Sequence, residues 1–153
     1  MDGIGPLSRQ RVGEVLRELG LRFLTDADGD FVLLCKEDAA NSMAMVMVSV
    51  QGSGDEILTI QAMVQNAPPL SSGEALGKAN EWNATRRWPR AFVKDGHFFL
   101  DFHLDLEKGV HKELLKDVVA TVLAGVSQFL LWLGGNGEED TLRAILRRLS
   151  GSM

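Results

Sequence analysis

The spacing of apolar residues along this chain changes several times, and each change marks an element. Val12, Val15, Leu16 and Leu19 recur at helical spacing behind Ser8, a good N-cap, and Gly20 supplies the stop. The spacing then shortens to two. The segments LRFLTD and DFVLLCK flank Ala27-Asp28-Gly29, where Asp-Gly tolerates the left-handed turn conformation, and MAMVMVSV and EILTIQAMV flank a second polar turn at residues 51–55. Ser71 and Glu74 stand at capping-box spacing and open a second helix. That helix must end near Arg87, because Pro89 disfavours helical geometry at the residue before it. RAFVK and HFFLDFHLD around Asp95-Gly96 form a third hairpin, and a long apolar helix runs from Gly109 to Gly134-Gly135. A last helix opens at Asn136 with the stripe Leu142, Ile145, Leu146 and Leu149, acids at its start and arginines toward its end. The predicted order is αββββαββαα: an α+β fold, with helices packed on an antiparallel sheet.

The 153 residues make one domain with enough interior to need no staples. A formal charge of -5 argues against a nucleic-acid binder, which needs a basic face. The single Cys35 forms no internal disulfide and fits a reducing cytoplasm. No signal peptide is read in Met1–Leu7. The apolar run Val118–Leu133 is shorter than the ~20 residues of a bilayer span and contains Ser127 and Gln128, so it reads as a buried helix.

Two stretches invite a functional reading. In NEWNATRRWPR, helical spacing puts Ala75, Ala79 and Trp82 on one stripe and Leu76, Asn80 and Asn83 on the next. The first stripe lets the helix approach the sheet, and the asparagines can satisfy backbone groups at a strand edge. The functional alternative is an exposed basic edge of Arg86, Arg87 and Arg90 beside Trp88, suited to an acidic partner segment. In MAMVMVSV, alternation sends Ala44, Val46, Val48 and Val50 to one face and Met43, Met45, Met47 and Ser49 to the other, with Met63 beside them from the paired strand. Thioethers repack at little cost, so this face is either an adaptable binding surface or core under the first helix.

Candidate chemistry is sparse. DADGD with Glu37 copies part of a calcium loop, but Gly29 falls at the fourth position instead of the sixth. Asp101, His103 and Asp105 share a strand face and could bind a metal or move a proton, although a solvated sheet face gives the same pattern. No nucleophile elbow, phosphate loop or H-E-x-x-H is present. These observations favour a non-enzymatic protein-binding module without cofactor, with a small metal-assisted hydrolase built on Asp101, His103 and Asp105 as the alternative.

Asn80, Trp82 and Asn83, Arg87 before RAFVKDGHFFLDFHL, and Gly109-Val110 opening a long apolar helix resemble the YbjN family of bacterial sensory-transduction regulators. The resemblance implies a fold similar to type III secretion chaperones, a homodimer, and a chaperone-like or regulatory role on a protein or peptide partner.

Overall fold

The computed structural model describes residues 3–135, so the helix expected from Asn136 onward lies outside the described residues. The elements in chain order are β1 (Ile4–Gly5), α1 (Arg9–Glu18), β2 (Leu24–Thr25), β3 (Phe31–Glu37), β4 (Ser42–Gln51), β5 (Ile57–Val64), α2 (Ser72–Thr85), β6 (Arg90–Lys94), β7 (His97–Asp105), β8 (Val110–His111) and α3 (Lys112–Leu133). A single 3-10 turn, Asp38–Ala40, joins β3 to β4. Six strands form an antiparallel sheet in the order β2-β3-β4-β5-β7-β6, and β1 pairs separately with β8.

The helix ends follow their caps. The Ser8 hydroxyl accepts from Arg11 N at 3.1 Å, and Ser71 and Glu74 close a reciprocal capping box at 3.1 and 3.0 Å. α2 stops at Thr85, two residues before the position expected from Pro89, with Arg86 already extended.

All three helices contribute to a core on one face of the sheet. Val12, Val15 and Leu16 of α1, Ala75, Ala79 and Trp82 of α2, and Leu115, Val119, Val122, Val126, Leu130 and Leu133 of α3 are buried there against Val46, Val48, Ile60 and Leu100. By length and hydropathy α3 could cross a bilayer, but 56% of its most apolar window is buried in the fold, which accounts for its composition. The expectation of a buried helix over Val118–Leu133 holds in part: away from the sheet-facing stripe, Ser127 and Leu131 are buried, Ala120 and Gln128 half-buried and Ala124 exposed. Lys112 and Lys116 tie α3 to α1 through Glu14 and Glu18, and they pull the Glu18 carboxyl down to about 2.

The two-residue strands β1 and β8 were not expected, because so short a pair has no period to read. Gly109 precedes β8 at φ +88, and a Cβ there would lie 2.8 Å from Ile4 Cγ2 and 3.0 Å from the Gly5 carbonyl oxygen, so the close approach of β1 needs glycine. The β2 strand is shorter than the segment Leu21–Asp26 expected for it, since only Leu24 and Thr25 pair with β3.

α2 also closes a sheet edge. The Asn83 amide donates to the Ala91 carbonyl at 2.9 Å and accepts from the Ala91 N–H at 2.9 Å, so one side chain replaces a strand beside β6. Asn80 on the same helix is exposed. Asn83→Ala is expected to lower stability by about 2 kcal/mol, because it leaves two backbone groups of Ala91 unpaired, while Asn80→Ala should change it by less than about 0.5 kcal/mol. Denaturant titration of both variants checks the contrast, and equal small losses would count against the edge role.

Candidate binding face

Since the helices occupy one face of the sheet, the other face is open among the described residues, and strand register fixes what it displays. The aligned residues Leu34, Met45, Met63, Phe99 and Phe92 form one row across β3, β4, β5, β7 and β6. The next row is Val32, Met47, Gln61, Asp101 and Arg90. Met45 and Leu34 are 46% and 58% exposed, values that rule out core packing under α1. Met43, Met47 and Met63 are half-buried among their neighbours. Together with Val32, Phe92 and Phe99, Met45, Met47 and Met63 line a shallow groove of about 200 Å³, and Met43 lies outside it. Phe92 and Phe99 stack at 5.4 Å between ring centroids and stiffen one end, while the thioethers keep the other adaptable.

A polar chain borders this strip. Arg90 donates twice to Asp101, Nε to Oδ1 at 2.9 Å and Nη2 to Oδ2 at 2.7 Å. His103 Nε2 reaches Asp101 Oδ2 at 3.2 Å, and its Nδ1 lies 3.2 Å from the Thr59 hydroxyl. Because a carboxylate only accepts, Nε2 carries the proton, and in the neutral ring Nδ1 accepts from Thr59. Burial raises the Asp101 pKa, but the hydrogen bonds from Arg90 and His103 outweigh it and hold the carboxyl below its ordinary 3.8. A depressed folded value means that the pair stabilises the fold above the ordinary aspartate range, and that this contribution is lost as pH falls through the folded value. With Arg90 largely in solvent, Asp101→Asn should cost about 1 kcal/mol at neutral pH and flatten the acid limb of the stability profile. Thermal melts from neutral to acid pH test this, and identical acid limbs in both proteins would remove the pair from the pH dependence.

The structure joins Asp101 to His103 but not to Asp105, whose Oδ1 accepts from the Glu107 N–H at 2.9 Å. Thr59 is 1% exposed, so its hydroxyl does not meet a substrate. The arrangement orders the sheet surface, with the Asp101 carboxylate held by Arg90 on both of its oxygens. Among the described residues, the carboxylates whose oxygens converge are those of Asp26, Asp28 and Asp30, within 4.8 Å of one another. There Asp26 Oδ1 accepts from the Asp28 and Asp30 N–H groups at 2.9 and 3.0 Å, which shapes the turn.

The Arg86, Arg87, Trp88 and Arg90 stretch does not form one surface. Arg86 stacks over the Trp82 ring at 5.0 Å, and Arg90 is turned to Asp101 on the open face. Trp88 belongs to the helix side, where it contacts Phe102 at 6.3 Å between centroids and walls an apolar groove of about 390 Å³ with Leu104, Leu114 and Val118. That groove joins Phe102 and Leu104, which alternation puts on one face of β7, to Leu114 and Val118 of α3, a meeting that only the tertiary fold sets. Leu34 was also missed as a surface residue, although its alternation with Leu33 would have placed it beside Met45.

A six-stranded antiparallel sheet with three helices on one face and an apolar strip on the other, among the described residues, defines a small α+β protein. The YbjN family, described as "Putative bacterial sensory transduction regulator", matches residues 8–135, and the chain belongs to it. The crystal structure of YbjN from E. coli, titled a "putative transcription regulator", has the same fold: TM-score 0.67 at 16% identity, over 84% of this chain and 92% of that one. No curated protein matches the sequence.

Proposed function

We infer that this protein is a non-enzymatic regulator that holds a protein or peptide segment on the open face of its sheet, in a chaperone-like manner. The carrying observation is the row Leu34, Met45, Met63, Phe99 and Phe92, partly exposed and free of any covering helix among the described residues. Four of these five side chains are methionine or aromatic, types that adapt to or anchor a partner at a protein interface. The family's description as a regulator agrees with such a role. The protein acts in the cytoplasm, where its lone thiol stays reduced, and as a homodimer. Exposed Leu114 and Trp88 border the apolar groove on the helix side and supply the contact between subunits, leaving the open face for the partner.

The test is Met45→Asp, which puts a charge where the partner would have to desolvate it. Because Met45 is half in solvent, the variant should keep its fold and oligomeric state by circular dichroism and light scattering, yet lose capture of its partners from a lysate of the source cell. Asp101→Asn combined with His103→Gln should leave capture intact. Undiminished capture by folded Met45→Asp removes the open face as the site, and a scattering mass of one chain, 16.8 kDa, at micromolar concentration removes the dimer.

A further inference from the structure

We propose that the segment held on the open face is an amphipathic peptide whose apolar side is flanked by carboxylates. This rests on the reading of that face as the binding surface and deepens it by naming the partner's charge. The register places Lys36 opposite Met43 and Lys94 opposite His97, so an ammonium group stands at each end of the row adjoining the apolar strip. Both lysines are exposed, and neither has an ion-pair partner among the described residues. On the other side of the strip, Arg90 holds a third cation, 67% exposed at its side chain, over the buried Asp101 carboxylate that it neutralises. The neighbouring acids Asp38 and Asp95 sit in turns beyond the strand ends, and Asp105 lies at the opposite end of β7. A chain of net charge -5 thus sets two unpaired lysines along one side of its open apolar strip and a charge-neutral Arg90–Asp101 pair along the other.

Charge of this sign selects a partner with acidic flanks, steers its approach and repels basic amphipathic segments. An anionic membrane is the weaker candidate. Recognition of such a surface uses clusters of ~4–8 cations, and two unpaired lysines on a net acidic protein fall short of that.

The probe is a synthetic peptide with leucines at i, i+3, i+4 and i+7 and glutamates on both flanks, compared with the same peptide carrying lysines. Wild-type protein should bind the glutamate form about tenfold more tightly at low salt, and the difference should shrink as salt screens the charges. In the Lys36→Glu/Lys94→Glu protein the preference should invert. Equal binding of the two peptides, or a preference that survives the charge reversal, overturns the proposal. In that case Met45→Asp separates the levels: if it still abolishes binding, the open face stands as the site and only the acidic character is lost, and if it does not, the face itself is wrong. Lysine-dependent binding to phosphatidylserine vesicles without peptide binding overturns the proposal in favour of a membrane. Peptide binding that appears only in the full chain carrying Leu142→Asp and Leu146→Asp overturns it in favour of the protein's own C-terminal segment.

Discussion

Trp82→Ala should cost about 3 to 5 kcal/mol in a denaturant titration, while Arg86→Ala, four residues on, should cost under about 1 kcal/mol. The Trp82 indole is 1% exposed. It meets Phe129 edge-on at 5.0 Å and Trp132 at 5.7 Å, and Phe129 in turn touches Phe98 at 5.6 Å, so one side chain of α2 locks onto α3 and, through it, β7. Its Nε1 donates to the Pro89 carbonyl at 2.8 Å in the interior. Truncation therefore opens a large cavity, ends two aromatic contacts at once and leaves a buried carbonyl unpaired. Arg86 lies on the solvent side of the same ring and contributes a partly hydrated cation–π contact. Similar small losses at both positions would mean that the aromatic cluster is not the anchor of α2.

Gly125→Leu should cost about 3 kcal/mol, and Gly125→Ala clearly less. A Cβ at this position of α3 would lie 2.7 Å from Pro89 Cδ and 3.1 Å from the Trp88 carbonyl oxygen. Since the second neighbour is backbone, α3 and the segment entering β6 cannot both stay in place around a branched side chain. With alanine, the gain of about 1 kcal/mol from replacing a mid-helix glycine offsets part of the strain. Thermal denaturation of the pair checks the ranking, and wild-type stability for Gly125→Leu would show that the two segments separate freely.

The elements that the sequence made legible are those with a period or a cap. Ser8, the Ser71/Glu74 box, the three hairpin turns and the buried stripes of α1 and α2 could all be read because each depends on neighbours within a few residues. What could not be read depends on distant residues. The β1–β8 pair joins residues more than a hundred positions apart and leaves no local mark. Alternation separated the methionines from the valines, but which face the helices would cover is a tertiary decision, since a helix of either orientation satisfies the same strand pattern. The Arg86–Arg90 stretch was misleading as a unit for a similar reason. Residues adjacent in sequence leave α2, pass Pro89 and enter a strand, so Trp88 and Arg90 end on opposite sides of the sheet.

The Asn83 clamp on β6 also bears on how this protein can associate with itself. A sheet whose two flanks are both free can add chains without limit, each new molecule offering another free flank, and that is the geometry of a fibre. Here one flank is occupied by an amide side chain on a helix that is itself pinned by Trp82. The opposite flank is β3, which beyond Val32 has no strand partner among the described residues. Two molecules meeting edge to edge would have to use β3 against β3, and the union would consume both free flanks. Strand exchange then terminates at a pair, and growth into a polymer first requires α2 to peel away from the sheet.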